Sequence, residues 1–199
     1  MKLLGLDFDN TLVKYDSLFH RLALEKELIT ASVPVSKPKI RDFIQSKGLE
    51  DEFTLLQGEV YGPRILEAEP ANHMLEALAQ LQELDVCMVI VSHKTRFPYQ
   101  GPKYELRKAA WNWLEQNNFF SSPGLNWDKS KVFFEDSKER KAARICSLGC
   151  EYYVDDLPEI LTMLPDSITK FLYGTDQSNK KFHVFNDWAQ FPSILNSYL

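Results

Sequence analysis

No stretch of the 199-residue sequence stays apolar long enough to cross a bilayer. The longest, Val86–Val91, is strand-sized, whereas a spanning helix takes about 20 residues. The apolar opening MKLLGL is cut by Asp7 and Asp9 too early for a secretory signal, so neither a membrane span nor export is expected. Cysteine is scarce: Cys87, Cys146 and Cys150 are an odd number without the spacing of a disulfide framework, which points to a reducing, cytoplasmic setting. Cys146 and Cys150 are expected to share one helix face as packing residues rather than as a metal pair. Positive charge is not in excess either. With 28 acidic and 23 basic side chains the net charge is −5, against the basic surface that a general nucleic-acid binder needs. His20, His73 and His183 show no metal-ligand spacing, and the chain has no internal repeat or low-complexity segment.

What is present is the profile of a globular protein with a buried core: 44% apolar and 26% charged residues in 23.1 kDa. That length suits one domain carrying an insertion better than two full cores. Leu3–Leu6, Val86–Val91 and Tyr152–Val154 are short apolar runs that end in polar residues, the pattern of buried strands running into loops. Val132–Phe134 and Ile168–Tyr173 are weaker strand candidates. Helical spacing appears over Asn72–Glu83, Tyr104–Glu115 and Glu139–Leu148, the last closed by Gly149. Strands alternating with helices predict a doubly wound α/β fold, a parallel sheet covered on both faces.

Residues 15–69 break that alternation. Helical pieces at Leu18–Ile29, Lys39–Ser46 and Glu52–Leu56 are separated by Pro34, Pro38, Gly48, Gly58, Gly62 and Pro63, with no convincing strand. The chain is therefore expected to divide into a core of residues 1–14 and 70–199 and a small helical cap of residues 15–69. The cap's place after the first strand's loop would put it over the carboxyl end of the sheet, where such sheets bind ligands.

The first strand delivers Asp7 and Asp9, which alternation directs to one side, and a later strand delivers Asp155 and Asp156. If both ends meet at the carboxyl edge, four carboxylates crowd one place. Like charges about 4 Å apart repel by about 1 kcal/mol even in water, and by more when partly buried. A cation must neutralise them, and an all-oxygen site with few protein ligands suits Mg²⁺.

With these residues in view, the sequence resembles the haloacid dehalogenase superfamily, in its Mg²⁺-dependent phosphatase branch. DFDNTLV at Asp7–Val13 is similar to its D-x-D-x-T signature, VIVSHKT at Val89–Thr95 to its second motif, and VDDLPEI at Val154–Ile160 to its acidic fourth motif. The resemblance implies hydrolysis of a small phosphate monoester through an aspartyl-phosphate on Asp7. Asp9 is implied as general acid and base, also offering its backbone carbonyl to the metal. Thr11 is counted with the phosphate- or substrate-binding residues and orients the loop or the acid, Ser92 and the following amides hold phosphate oxygens, Asp7 and Asp156 bind Mg²⁺ directly, and Asp155 supports them. The third motif is a lone lysine, for which Lys141 is favoured over Lys138.

Other residues are weaker candidates. His93 and Lys94 stand beside the expected phosphate site and are assigned to phosphate or substrate binding, and Arg96 lies nearby. Glu135 and Asp136 read as helix caps, Arg64 as a solvated turn residue more readily than a substrate contact, and Trp111, Trp113, Phe119 and Phe120 as packing. The expected partner is a small phosphorylated metabolite, with no nucleic acid or membrane. A phosphomutase of the same superfamily and a catalytically silent binding or regulatory module are the alternatives.

Overall fold

Leu3–Leu6 forms β1 because four apolar residues in a row suit a strand covered on both faces, and three of the four are buried. The structure, a computed structural model, describes residues 2–175 and 181–199. In chain order its strands are β1 (Leu3–Leu6), β2 (Val13–Lys14), β3 (Glu69–Pro70), β4 (Cys87–His93), β5 (Val132–Glu135), β6 (Tyr152–Asp155), β7 (Thr169–Tyr173) and β8 (His183–Phe185). The helices are α1 (Asp16–Glu25), α2 (Lys37–Ser46), α3 (Glu50–Tyr61), α4 (Met74–Glu83), α5 (Leu106–Gln116), α6 (Lys138–Ser147), α7 (Pro158–Met163) and α8 (Phe191–Asn196).

Two compact units result. The first holds the described residues of Met1–Val13, Pro70–Lys94 and Asn118–Leu199. Its six-stranded sheet has the order β5-β4-β1-β6-β7-β8, and every neighbouring pair is parallel. Strand order therefore reverses at β1, flanked by β4 and β6, and a doubly wound sheet opens its ligand crevice at such a point. Val89, Val91, Ile145, Tyr153, Ile160 and Leu161 belong to one cluster under α6 and α7. Met88 and Ile90 alternate with Val89 and Val91 and are buried too, so both faces of β4 are covered. Gly5 lies against Tyr153: a Cβ there would stand 2.6 Å from the Tyr153 ring.

The second unit holds Lys14–Glu69 and Thr95–Asn117. Tyr15, Phe19, Phe53 and Tyr61 knit α1 to α3, with Tyr15 and Tyr61 edge to face at 4.8 Å and Phe19 stacked on Phe53 at 5.9 Å. This unit includes α5, a helix that sequence spacing assigned to the core. α5 joins this unit because the buried Trp113 indole donates to Ala68 O at 2.8 Å, and Gln116 donates to Leu66 O at 2.9 Å. The two-residue strands β2 and β3 pair with each other where the chain passes between units. Of the expected packing aromatics, Trp113 and Phe119 are fully buried, whereas Trp111 and Phe120 are half-buried.

β8 was not expected from sequence. Three residues, with His183 exposed and Phe185 buried, are too few to show a period. Cys150 also departs from expectation. α6 ends at Ser147 and Gly149 takes a positive φ of 73°, so Cys150 lies beyond the helix and is buried while Cys146 is exposed. Burial pushes the Cys150 thiol up to about 11.

Candidate active site

Asp7 follows β1 directly, and its amide donates to Val154 O at 2.9 Å, extending the pairing with β6 by one residue. That bond seats Asp7 beside Asp155, the last residue of β6, and Asp156, which follows it. The loop after Asp7 closes on itself: the amides of Leu12 and Val13 both donate to Phe8 O, at 3.0 and 3.2 Å. Asn10 takes the left-handed conformation at φ 57°, which asparagine tolerates better than most residues. Thr11 Oγ1 donates to Asp7 Oδ2 at 3.4 Å.

Lys141 lies in the first turn of α6, whose N-terminus is capped by Ser137 accepting from the Arg140 amide. Its side chain is 2% exposed, and Nζ donates to Asp7 Oδ1 at 2.5 Å and Asp155 Oδ2 at 2.6 Å. Lys138 points elsewhere, to Glu159 on the surface at 2.6 Å. Asp155 spends its other oxygen on the Leu157 amide at 2.9 Å. Asp156, by contrast, has no hydrogen bond or ion pair among the described residues. Asp7, Asp155 and Asp156 each present a carboxylate oxygen within 4.8 Å of the others.

Three carboxylates and one ammonium leave the cluster about two charges short of neutrality, and the titration follows. Burial first, then the Asp7 charge, lift Asp155 to about 7 against the pull of Lys141. Burial, then Asp7 and Asp155, raise Asp156 well above the ordinary carboxylate range. Burial alone would lower Lys141, but Asp7 and Asp155 outweigh it and raise the ammonium above its usual value. A hard divalent cation fits this donor set: it supplies the missing charge, and Asp156 and Asp7 offer the oxygens that Mg²⁺ prefers.

Ser92, near the end of β4, is 1% exposed, and its hydroxyl is buried without a hydrogen-bond partner among the described residues. An orphaned donor of this kind costs about 1–3 kcal/mol until something accepts from it. Of its neighbours, His93 Nε2 meets Asp136 O at 3.2 Å. Lys94 Nζ donates to both Asp9 oxygens, at 2.9 and 2.8 Å, and the Asp9 carboxylate is not among the three clustered ones.

The remaining candidates have other partners. Arg64 pairs with Glu67 and Glu25, and Arg96 with Glu105 at 2.9 Å, all within the second unit. Glu135 and Asp136 were expected to cap α6. Ser137 does so instead, because its hydroxyl reaches the Arg140 amide, while Glu135 pairs with Arg144 at 2.7 Å and Asp136 with Arg140 at 3.5 Å. His20, His73 and His183 contact Val33 O, Asp187 and Tyr198 respectively. Sequence reasoning missed Trp188. Its fully buried indole donates to Thr11 O at 3.0 Å, tying a segment 177 residues away to the Asp7 loop.

Comparison with known proteins agrees with this architecture. No family model matches the chain. Putative nucleotidase OB0422 of Oceanobacillus iheyensis is 34% identical over 122 residues, covering 59% of this chain. The chain spans 56% of the length of that curated relative. A haloacid dehalogenase-like family hydrolase from Xanthomonas campestris superposes with a TM-score of 0.56 at 10% identity, over 99% of this chain and 95% of its own. A haloacid dehalogenase-like family hydrolase from Streptococcus pneumoniae gives 0.58 at 12% identity, over 100% and 99%. The six-stranded parallel sheet, the order of its strands and the carboxylates at its switch point together give this chain the haloacid dehalogenase-like fold.

Proposed function

We propose that the chain is a phosphomonoester hydrolase that works through an aspartyl-phosphate on Asp7, with Mg²⁺ held by Asp7, Asp156 and the Asp9 backbone carbonyl. One observation carries this reading. Three carboxylates and one buried lysine converge at the switch point of the sheet, in the same unit as a buried serine hydroxyl that has no partner among the described residues. When bound, Mg²⁺ would neutralise the carboxylates and a phosphate oxygen together.

The chain's own groups do the rest. Lys141 holds one Asp7 oxygen and keeps that carboxylate aimed. Asp7 attacks phosphorus, the bond to the leaving oxygen breaks, and Asp9 gives that oxygen a proton so that an alcohol departs. Water then attacks phosphorus and passes a proton to Asp9, the bond to Asp7 breaks, and inorganic phosphate leaves. Ser92 and the His93 amide hold the phosphate's other oxygens. Asp155, both of whose oxygens are already engaged, orients Lys141 without touching the ion. The helical insertion is the part of the chain to which we assign choice of substrate.

A small phosphorylated metabolite is the substrate class, and the name of the Oceanobacillus relative favours a nucleotide within it. The test is a panel of nucleoside monophosphates, sugar phosphates and p-nitrophenyl phosphate, scored by phosphate release with Mg²⁺ and with EDTA. Release that needs Mg²⁺ and is lost in Asp7→Asn, with circular dichroism unchanged, is expected. No release from the whole panel would overturn the reading, and retention of phosphate on an acceptor would replace it with a mutase.

A further inference from the structure

Two buried lysines serve the two aspartates of the D-x-D motif separately. Lys141 takes Asp7, and Lys94 takes Asp9. The sequence places Lys94 at the phosphate, yet the structure gives its ammonium to Asp9 in a two-pronged grip at 2.8 and 2.9 Å. Burying an ammonium costs several kcal/mol unless it is paired, and the Lys94 side chain is only 3% exposed. Its environment commits it to a carboxylate.

Lys94 is also held at both ends. Its amide donates to Glu135 O at 2.9 Å, carrying the β4–β5 ladder one residue past the His93–Glu135 pair. Its ammonium lies 5.3 Å from the centre of the Phe8 ring, and that ring packs edge-on against Phe134 of β5 at 5.8 Å. Asp9 has the opposite situation. It sits in the loop after β1, next to the left-handed Asn10, with its side chain 23% exposed. A short carboxylate on such a loop samples several rotamers unless something holds it. The grip transfers the rigidity of the sheet edge to the one side chain that the reaction needs in a fixed direction.

We propose that Lys94 is a positioning residue: it fixes the direction of Asp9, which takes up a proton from solvent on one oxygen and passes it to the leaving oxygen while Lys94 holds the other. This rests on the phosphatase reading above and adds to it a group that acts through Asp9. The second lysine thereby becomes part of the acid–base machinery rather than a subsite for phosphate.

The test compares two aryl phosphates of nearly the same shape, p-nitrophenyl phosphate, whose leaving group departs readily, and phenyl phosphate, whose leaving group needs the proton. Wild type, Lys94→Met, Asp9→Asn and the double variant are assayed with Mg²⁺, and melting curves check folding. Lys94→Met is expected to lower kcat for phenyl phosphate by about tenfold more than for p-nitrophenyl phosphate, with the loss in kcat rather than KM. In the Asp9→Asn background the same substitution is expected to add less than about twofold. Lys94→Gln, which keeps one donor toward Asp9, should fall between wild type and Lys94→Met, and it carries the same comparisons if the Met variant does not fold. Equal losses on both substrates, a rise in KM alone, or full multiplication of the two losses in the double variant would each overturn the role of Lys94. A wild type that releases phosphate from nothing in either assay would instead remove the reading beneath it.

Discussion

Replacing Asp156 by Asn is expected to stabilise the protein in EDTA and to abolish most of its response to Mg²⁺, a reversal that ordinary loss of a contact would not produce. The magnitude follows from the cluster. Its carboxylate oxygens lie within 4.8 Å of one another. At about 5 Å and an effective dielectric near 20, two unit charges interact by about 3 kcal/mol. Asp156 meets two such repulsions, from Asp7 and Asp155, and one attraction, from Lys141, which leaves about one repulsion uncompensated. Partial exposure of Asp156 reduces that to about 2–3 kcal/mol. For a chain of this length each kcal/mol moves the melting temperature by about 2–4 °C, so Asp156→Asn should melt roughly 5–10 °C above wild type in EDTA. Mg²⁺ at 100 times its Kd should give wild type about 2.7 kcal/mol in the other direction.

The pH dependence has a definite sign. Burial, then the charges of Asp7 and Asp155, raise the folded-state pKa of Asp156 above its unfolded value. The folded protein therefore keeps a proton that the unfolded chain has released. Stability from this group is complete below the ordinary carboxylate range and is lost as pH rises toward the folded value. The advantage of the Asn variant in EDTA should accordingly be larger near about pH 8 than near about pH 5. Differential scanning calorimetry of both proteins, with EDTA and with Mg²⁺, at the two pH values measures all of this. A variant that melts below wild type in EDTA at the higher pH, or that gains as much from Mg²⁺ as wild type does, would refute the reasoning.

Three further substitutions probe the supports of the site. Lys141→Met strands Asp7 and Asp155 without their cation and should cost about 3–5 kcal/mol by urea denaturation. The loss should shrink as pH falls, because Asp155, already lifted to about 7, takes up a proton and needs no partner; a loss independent of pH would count against it. Gly5→Ala would drive a methyl group to 2.6 Å from the Tyr153 ring, which is anchored by its hydroxyl donating to Val91 O at 2.6 Å. A cost of about 1–3 kcal/mol is expected, and an unchanged melting temperature would show that the ring can yield. Trp188→Phe keeps the aromatic packing but removes the donor to Thr11 O, so it should cost about 1–3 kcal/mol and slow phosphate release by loosening the Asp7 loop. Full activity in that variant would separate the C-terminal segment from the site.

Much of the core was legible in sequence because its signals are local. Leu3–Leu6 is a strand with the expected bounds, and the candidates at Val86–Val91, Val132–Phe134, Tyr152–Val154 and Ile168–Tyr173 are strands with ends shifted by a residue or two. Apolar runs ending in acidic or hydroxyl residues announce a strand and its loop together. α5 shows where locality stops. Its spacing identifies a helix but says nothing about which unit it packs with, and the bond from Trp113 to Ala68 O settles that. Between Lys138 and Lys141 the sequence has a preference and no proof. Three residues along a helix leave the two side chains only about 60° apart, so spacing does not separate them, and it is the fold that turns one ammonium to Glu159 on the surface and buries the other between Asp7 and Asp155.

The sequence by itself determined the doubly wound class, the interrupting helical segment and the four acidic residues at strand ends, since each is written in residues a few positions apart. Only the tertiary structure decided which aspartate each lysine serves, that Asp156 alone of the acidic pair keeps its oxygens unengaged among the described residues, and that Trp188 reaches Thr11. Those outcomes depend on separations of 14 to 177 residues being closed to hydrogen-bond distance, and no periodicity within a segment encodes that closure.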